Sequence, residues 1–171
     1  RIPGIDVQVS EGDLYEFGAT KVKVIEVPGH TSGHIAYYFE QDDVAFVGDT
    51  LFALGCGRLF EGTAEQMWVS LEKLMALPDA TTVYCAHEYT EANAAFAITV
   101  EPDNLALQAR IEEIAKLRSQ GIPTVPTSIS LERATNPFVR ATSADLQNTI
   151  GLTGADPVAV FAETRKRKDH F

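Results

Sequence analysis

The chain has 171 residues, of which 45% are hydrophobic and 22% charged, the balance of an ordinary globular protein with a real core. A net charge of −10 argues against broad nucleic-acid binding, which requires a basic face. No apolar run approaches the roughly 18 residues of a membrane-spanning helix, and two cysteines are too few for a disulfide scaffold.

The opening residues, RIPGIDVQVSEGDLYEFG, read as turn and strand material without a signal-peptide pattern. KVKVIEV follows, with Val22 and Val24 alternating with Lys21 and Lys23, the period of a half-buried strand. IAYYFE and DVAFVGD are two further strands parted by a turn at Gln41-Asp42, and TTVYCAH is a fourth. Between the last two lies a helix that Thr63 and Gln66 open as a capping box, with Met67, Leu71, Leu74 and Met75 on one stripe.

Beyond residue 90 the pattern turns helical. Asn93 to Val100 is one helix, and Pro102-Asp103 starts a longer one with Leu107, Ile111 and Ile114 inward and Gly121 at its end. IPTVPTSISLERATNPF reads as an extended, packed connector. Asp156-Pro157 then caps a last helix that turns Val158 and Phe161 inward. The expected fold class is α+β, with a β-rich portion over residues 1–90 and an all-helical portion over 91–171.

Three loops at strand ends carry polar cargo: VPGHTSGH, VGDTLF and CAHEYT. In HTSGH the two histidines stand four apart, as in a helical metal site. The residues around and between them are Pro, Gly, Thr, Ser and Gly, which disfavour a helix interior. The segment is therefore a loop, and at most one of His30 and His34 is a ligand. His30, Asp49 and His87 together make a mixed nitrogen and oxygen set suited to zinc, iron or manganese. The same three can equally be hydrogen-bonded loop residues.

PGHTSGH, FVGDTLFALGCGRLFEGT, VYCAHEYT, VEPDN, PTVPTSISLE, NPF and the terminal RKRKDHF resemble segments of the glyoxalase II (hydroxyacylglutathione hydrolase) family of the metallo-β-lactamase superfamily. The resemblance implies the C-terminal half of a metallo-β-lactamase αββα sandwich followed by an α-helical glutathione-binding domain. It implies two divalent metal ions, zinc or else iron or manganese, with His30 on the first, Asp49 bridging, His87 on the second and His34 on neither. The activity implied is hydrolysis of S-D-lactoylglutathione or another 2-hydroxyacyl-glutathione to D-lactate and glutathione by a hydroxide shared between the metals. No protein nucleophile is needed, so Cys56 and Cys85 have no catalytic part.

By the same resemblance Arg58, Phe60, Tyr89, Arg165 and Lys168 bind the glutathione moiety, the cations answering its carboxylates. Arg58 stands where the family often has Lys and Phe60 where it often has Tyr, which implies a weaker hold on the ligand. The family's HxHxDH motif does not occur here. The expectation is that an N-terminal third carrying it lies upstream of Arg1, as a missing segment and potential partner, and that this chain alone is inactive. A cytoplasmic setting, no membrane and no nucleic-acid partner are expected. Two alternatives stand beside this reading: a persulfide dioxygenase-like enzyme of the same superfamily, which residues 103–171 count against, and a fragment that binds glutathione derivatives without hydrolysing them.

Overall fold

A computed structural model describes residues 3–171. Its frame is a six-stranded sheet. β1 (Leu14–Phe17), β2 (Thr20–Glu26), β3 (Ile35–Phe39) and β4 (Val44–Gly48) follow one another as antiparallel neighbours. A two-stranded ribbon, β5 (Leu51–Phe52) with β6 (Gly55–Cys56), and helix α1 (Ala64–Met75) come next in the chain. β7 (Thr82–Cys85) then joins β4 in parallel, and β8 (Thr127–Ser128) closes the order β1-β2-β3-β4-β7-β8. The remaining helices are α2 (Thr90–Val100), α3 (Leu105–Ser119), α4 (Ile129–Thr135), α5 (Ala144–Ile150) and α6 (Pro157–Asp169), with a short 3-10 turn at Pro137–Val139. The protein is thus α+β, and none of its helices is long and apolar enough to cross a membrane among the described residues.

The sheet has two unlike faces. Ala36, Tyr38, Ala45, Val47 and Val83 face the helices and pack with Met67, Trp68, Leu71, Leu74, Phe138 and Phe161 in the main core. A second cluster of Leu54, Ala94, Ala97, Leu107 and Ile114 joins α2 to α3. On the opposite face Val24, Tyr37 and Phe46 stand directly across the strands from one another, and Tyr84 stacks on Phe46 at 5.2 Å. Tyr37, Phe46 and Tyr84 are exposed, yet Val22 and Val24 on the same face are buried. The alternation in KVKVIEV therefore reports the aromatic face, and Ile25 is the residue β2 gives to the helix-covered core.

α1 forms as its sequence dictates. Thr63 Oγ1 accepts from the Gln66 amide at 3.2 Å, and Gln66 Oε1 accepts from the Thr63 amide at 3.0 Å. α3 starts at Leu105, three residues after Pro102, because Asn104 is the residue whose side chain caps the Leu107 amide. α2 begins at Thr90 rather than Asn93.

The connector expectation is corrected. TS within it pairs with β7, ISLERAT is a helix capped by Ser128, and NPF is the 3-10 turn. The span after residue 90 is accordingly not all helical, since it supplies a strand to the sheet. ADLQNTI is a further helix, capped by Ser143 and closed by Gly151 at φ 78°.

Thr63→Ala removes one half of the capping box and should cost about 1 kcal/mol in urea unfolding at unchanged m-value. An unchanged midpoint would show that the cap adds nothing to the packing of α1.

Candidate functional site

β2, β4 and β7 run in one direction, so the loops that follow them leave the same edge of the sheet. His30, Asp49 and His87 sit on those loops. Residues 28–34 form a turn and loop, not a helix. The His30 ring donates from Nδ1 to the Arg58 carbonyl at 2.8 Å, which leaves Nε2 facing Asp49 Oδ2 at 4.0 Å. His87 Nε2 lies 3.1 Å from Asp49 Oδ1. Each carboxylate oxygen of Asp49 thus has one imidazole nitrogen opposite it. His34 is differently employed: its Nε2 accepts the Asp49 amide at 3.0 Å and its Nδ1 lies 3.1 Å from the Ile35 carbonyl. It fixes the backbone of Asp49 and takes no place beside the carboxylate.

Glycine makes this closeness possible. A Cβ on Gly57 would collide with the Asp49 carbonyl and lie 3.0 Å from His30 Nδ1. A Cβ on Gly48, at φ 53°, would collide with the His34 ring. Gly29, at φ 146°, lies so near Met67 that a Cβ there would meet the Met67 Cβ at 2.8 Å.

His30, Asp49 and His87 open into a cavity of about 560 Å³ whose far wall comes from the end of α6. Tyr89 stacks on His87 with centroids 4.7 Å apart, Phe52 meets both rings edge-on, and Phe60 packs 4.8 Å from His30. Arg58, Arg165 and Lys168 are the cations lining it.

These three cations are not equivalent. Arg165 is buried, donates to the Cys56 carbonyl at 3.0 Å and pairs with Asp169 at 2.9 Å, so its guanidinium is largely spoken for. Lys168 donates to the Ala92 carbonyl at 2.9 Å and lies over the Phe96 and Phe171 rings. Burial first, and then the nearby Arg165 and Arg58 charges, hold its ammonium pKa below the usual lysine value. Arg58 is exposed, with Asp169 3.8 Å away. Asp169 itself escapes the sequence reading, although its i+4 spacing from Arg165 was a visible signal. The cysteines are inert here: burial pushes the Cys56 thiol up to about 11 against the pull of Arg165, and raises Cys85 as well.

Each Asp49 oxygen with its facing imidazole offers a hard oxygen and a borderline nitrogen, the chemistry of zinc, iron or manganese. Among the described residues no three His, Cys, Asp or Glu side chains converge as a ready-made centre. The expected ligand trio is therefore brought together around Asp49 but is an incomplete shell by itself.

Residues 1–87 match the family model of the metallo-beta-lactamase superfamily, which defines the class of fold. Residues 88–171 match the model described as the hydroxyacylglutathione hydrolase C-terminus. Proteins named hydroxyacylglutathione hydrolase from Methylococcus capsulatus and Rhodospirillum rubrum are 57% and 58% identical to this chain over all 171 residues. Those residues make up 67% of each relative's length. The chain belongs to the hydroxyacylglutathione hydrolase family, a family of enzymes. Among solved structures, ETHE1 from Myxococcus xanthus matches with a TM-score of 0.58 and 27% identity, over 97% of this chain and 61% of its own. TTHA1623, crystallised in a di-iron-bound form, matches with a TM-score of 0.51 and 25% identity, over 80% of this chain and 50% of its own.

Gly57→Ala should displace both Asp49 and His30 at once. The expected result is a folded protein, by far-UV circular dichroism, in which the His30 and His87 ring resonances shift together. Unmoved resonances would mean that the loop absorbs a methyl group freely.

Proposed function

We propose that this chain carries part of the metal site and the glutathione-binding wall of a thioester hydrolase acting on 2-hydroxyacyl-glutathione, S-D-lactoylglutathione above all. The observation that carries the reading is a single cavity with a carboxylate between two imidazoles at one end and three cationic side chains at the other. Glutathione thioesters have matching ends: a reacting carbonyl, and carboxylates on the peptide.

His30 with Asp49 Oδ2 would hold one ion and His87 with Asp49 Oδ1 a second, with further ligands completing each shell. When bound, such ions would supply Lewis acidity to the thioester carbonyl and a water acidified toward neutrality. The His30 Nδ1 hydrogen bond to Arg58 O fixes the tautomer that presents Nε2 to the site. The Tyr89–His87 stack and Phe60 give the thioester aromatic surfaces to pack against beside the histidines. Arg58, being exposed, is free to meet a carboxylate of the peptide. Lys168 lies deeper and reaches the same ligand beside Tyr89. Arg165 contributes its field from behind while anchoring β6 through Cys56. In the overall reaction water adds its oxygen to the acyl carbon, the carbon–sulfur bond breaks, and glutathione leaves as a thiolate. That leaving group is good enough to need no nucleophile from Cys56 or Cys85.

The test is thiol release from S-D-lactoylglutathione by the protein as its gene encodes it, loaded with zinc, iron or manganese. Hydrolysis that a chelator stops, and that is much slower with a lactoyl thioester lacking the glutathione peptide, is the expected outcome. No thiol release from the loaded protein, or equal rates with both thioesters, would sink the reading.

The lowered Lys168 pKa gives a pH signature. A lowered pKa means the ammonium loses its proton as pH rises sooner than an ordinary lysine does. KM for the glutathione thioester should therefore climb at a pH below the usual lysine range, and Lys168→Met should raise KM at neutral pH and remove that climb. A climb that persists in the variant would assign it to another group.

A further inference from the structure

The ribbon of β5 and β6 walls the cavity, yet its turn points away from it into the protein. That turn is held by side chains that come from far along the chain. Asn136 Nδ2 donates to Phe52 O at 3.3 Å and to Gly55 O at 3.0 Å. Asn93 Nδ2 donates to Ala53 O at 3.0 Å. The Leu54 amide donates to Glu132 Oε2 at 2.9 Å, with Leu54 at φ 60°, a left-handed conformation that a leucine adopts only when its surroundings require it. Glu132 and Asn136 are both 0% exposed, and Asn136 also donates to Glu132 Oε2 at 2.9 Å. The other Glu132 oxygen accepts from Arg110 Nη2 at 2.7 Å and Thr127 Oγ1 at 2.6 Å.

What this turn fixes is the site. Phe52 leads out of it and meets the His87 and Tyr89 rings at 5.9 and 5.5 Å. On its other side β6 runs through Gly57, whose amide donates to Thr50 O at 3.2 Å, to the Arg58 carbonyl that receives the His30 Nδ1 proton. One rigid ribbon therefore orients both imidazoles that flank Asp49, from opposite sides.

We propose that Asn136 and Glu132, which stand on α4 and its C-terminal cap and do not line the cavity, are positioning residues for the reaction. They act through the backbone of Phe52–Gly55 on His30 and His87. The proposal rests on the thioesterase reading for its kinetic consequence but not for its structural one. Loss of the clamp loosens the ribbon, frees the Arg58 carbonyl and lets the His30 ring turn. Loss of an outer partner of this kind costs metal-site function about tenfold or more.

Asn136→Ala tests it against Ser143→Ala. Both remove a buried or half-buried capping side chain, but Ser143 caps α5 and bonds Glu101, away from the ribbon. The first readout is the His30 Nδ1 proton in the metal-free protein, followed by NMR. It should exchange slowly in the parent and in Ser143→Ala, and rapidly in Asn136→Ala. The second is kcat in the loaded protein, expected to fall about tenfold in Asn136→Ala and to stay near the parent value in Ser143→Ala. Asn136→Ser, which returns a short donor, should recover part of both, and it replaces Asn136→Ala if that variant does not fold. Equal His30 proton exchange in Asn136→Ala (or its Ser replacement) and Ser143→Ala would overturn the proposal. A parent that hydrolyses no glutathione thioester would overturn the function instead, while the exchange comparison would still decide the positioning.

Discussion

A buried carboxylate organises this protein. Glu132 is fully enclosed and accepts four hydrogen bonds, from Arg110, Thr127, Asn136 and the Leu54 amide. An ionised carboxylate without partners would be expelled from such a place, so the partners and the fold around them are mutually required. They come from α3, β8, the cap of α4 and the β5–β6 turn. The helical part and the sheet part of the chain thus share one satisfied polar centre in addition to their apolar core. Apolar packing alone would tolerate sliding of α3 and α4 over the ribbon; four directed hydrogen bonds fix one register.

A second constraint is closeness. Asp49, His30, His34 and the glycine loop occupy a volume in which Gly48 and Gly57 have no room for a methyl group. The sharp departure of the chain at the ends of β2 and β4 is what brings a carboxylate within reach of two imidazoles. His34 then spends both ring nitrogens on the backbone, holding the Asp49 amide so that its carboxylate faces outward. The division of labour between two histidines four residues apart follows from this turn geometry, since a helix would have put both on the same face.

That the two histidines do not share a helix face was readable in the sequence, because Pro28, Gly29 and Gly33 disfavour a helix there. Which of them turns to the backbone was not legible from those residues. β2, β3, β4 and β7 were readable, and also α1 and α6, whose caps Thr63 with Gln66 and Asp156 with Pro157 stand where the structure has them. The segment 127–135 was not readable. Its helix turns Ile129 inward but leaves Leu131 exposed, and what it chiefly buries is Glu132. A pattern method sees a polar residue there and infers a surface. β8 was hidden for a similar reason: two residues, Thr127 and Ser128, are too few to show a period. At the site, residue types and loop positions identified His30, Asp49 and His87 as candidates, but not that Arg165 is already committed to Cys56 and Asp169. Such occupancy depends on partners distant in sequence, 109 residues in the case of Cys56.

The electrostatics of the cavity follow from the same placement. The chain carries a net charge of −10, which repels anionic ligands at long range. Screening limits that repulsion to about 8 Å at physiological salt, so a ligand that reaches the cavity mouth responds to local charge. There Arg58 and Lys168 are accessible while Arg165 stands behind them, its charge shared with Asp169. Asp169 lies within 4 Å of both arginines and tempers a cluster that would otherwise drive its own members apart. The mutual repulsion that remains acts on Lys168, where it adds to burial, the first cause of the lowered pKa. On the proposed reading, a carboxylate entering between Arg58 and Lys168 relieves that repulsion as it binds. Lys168 then gains more from an anionic ligand than a lysine on open surface would, because a partly desolvated ammonium already held by the Ala92 carbonyl and two aromatic rings needs little reorganisation to receive it.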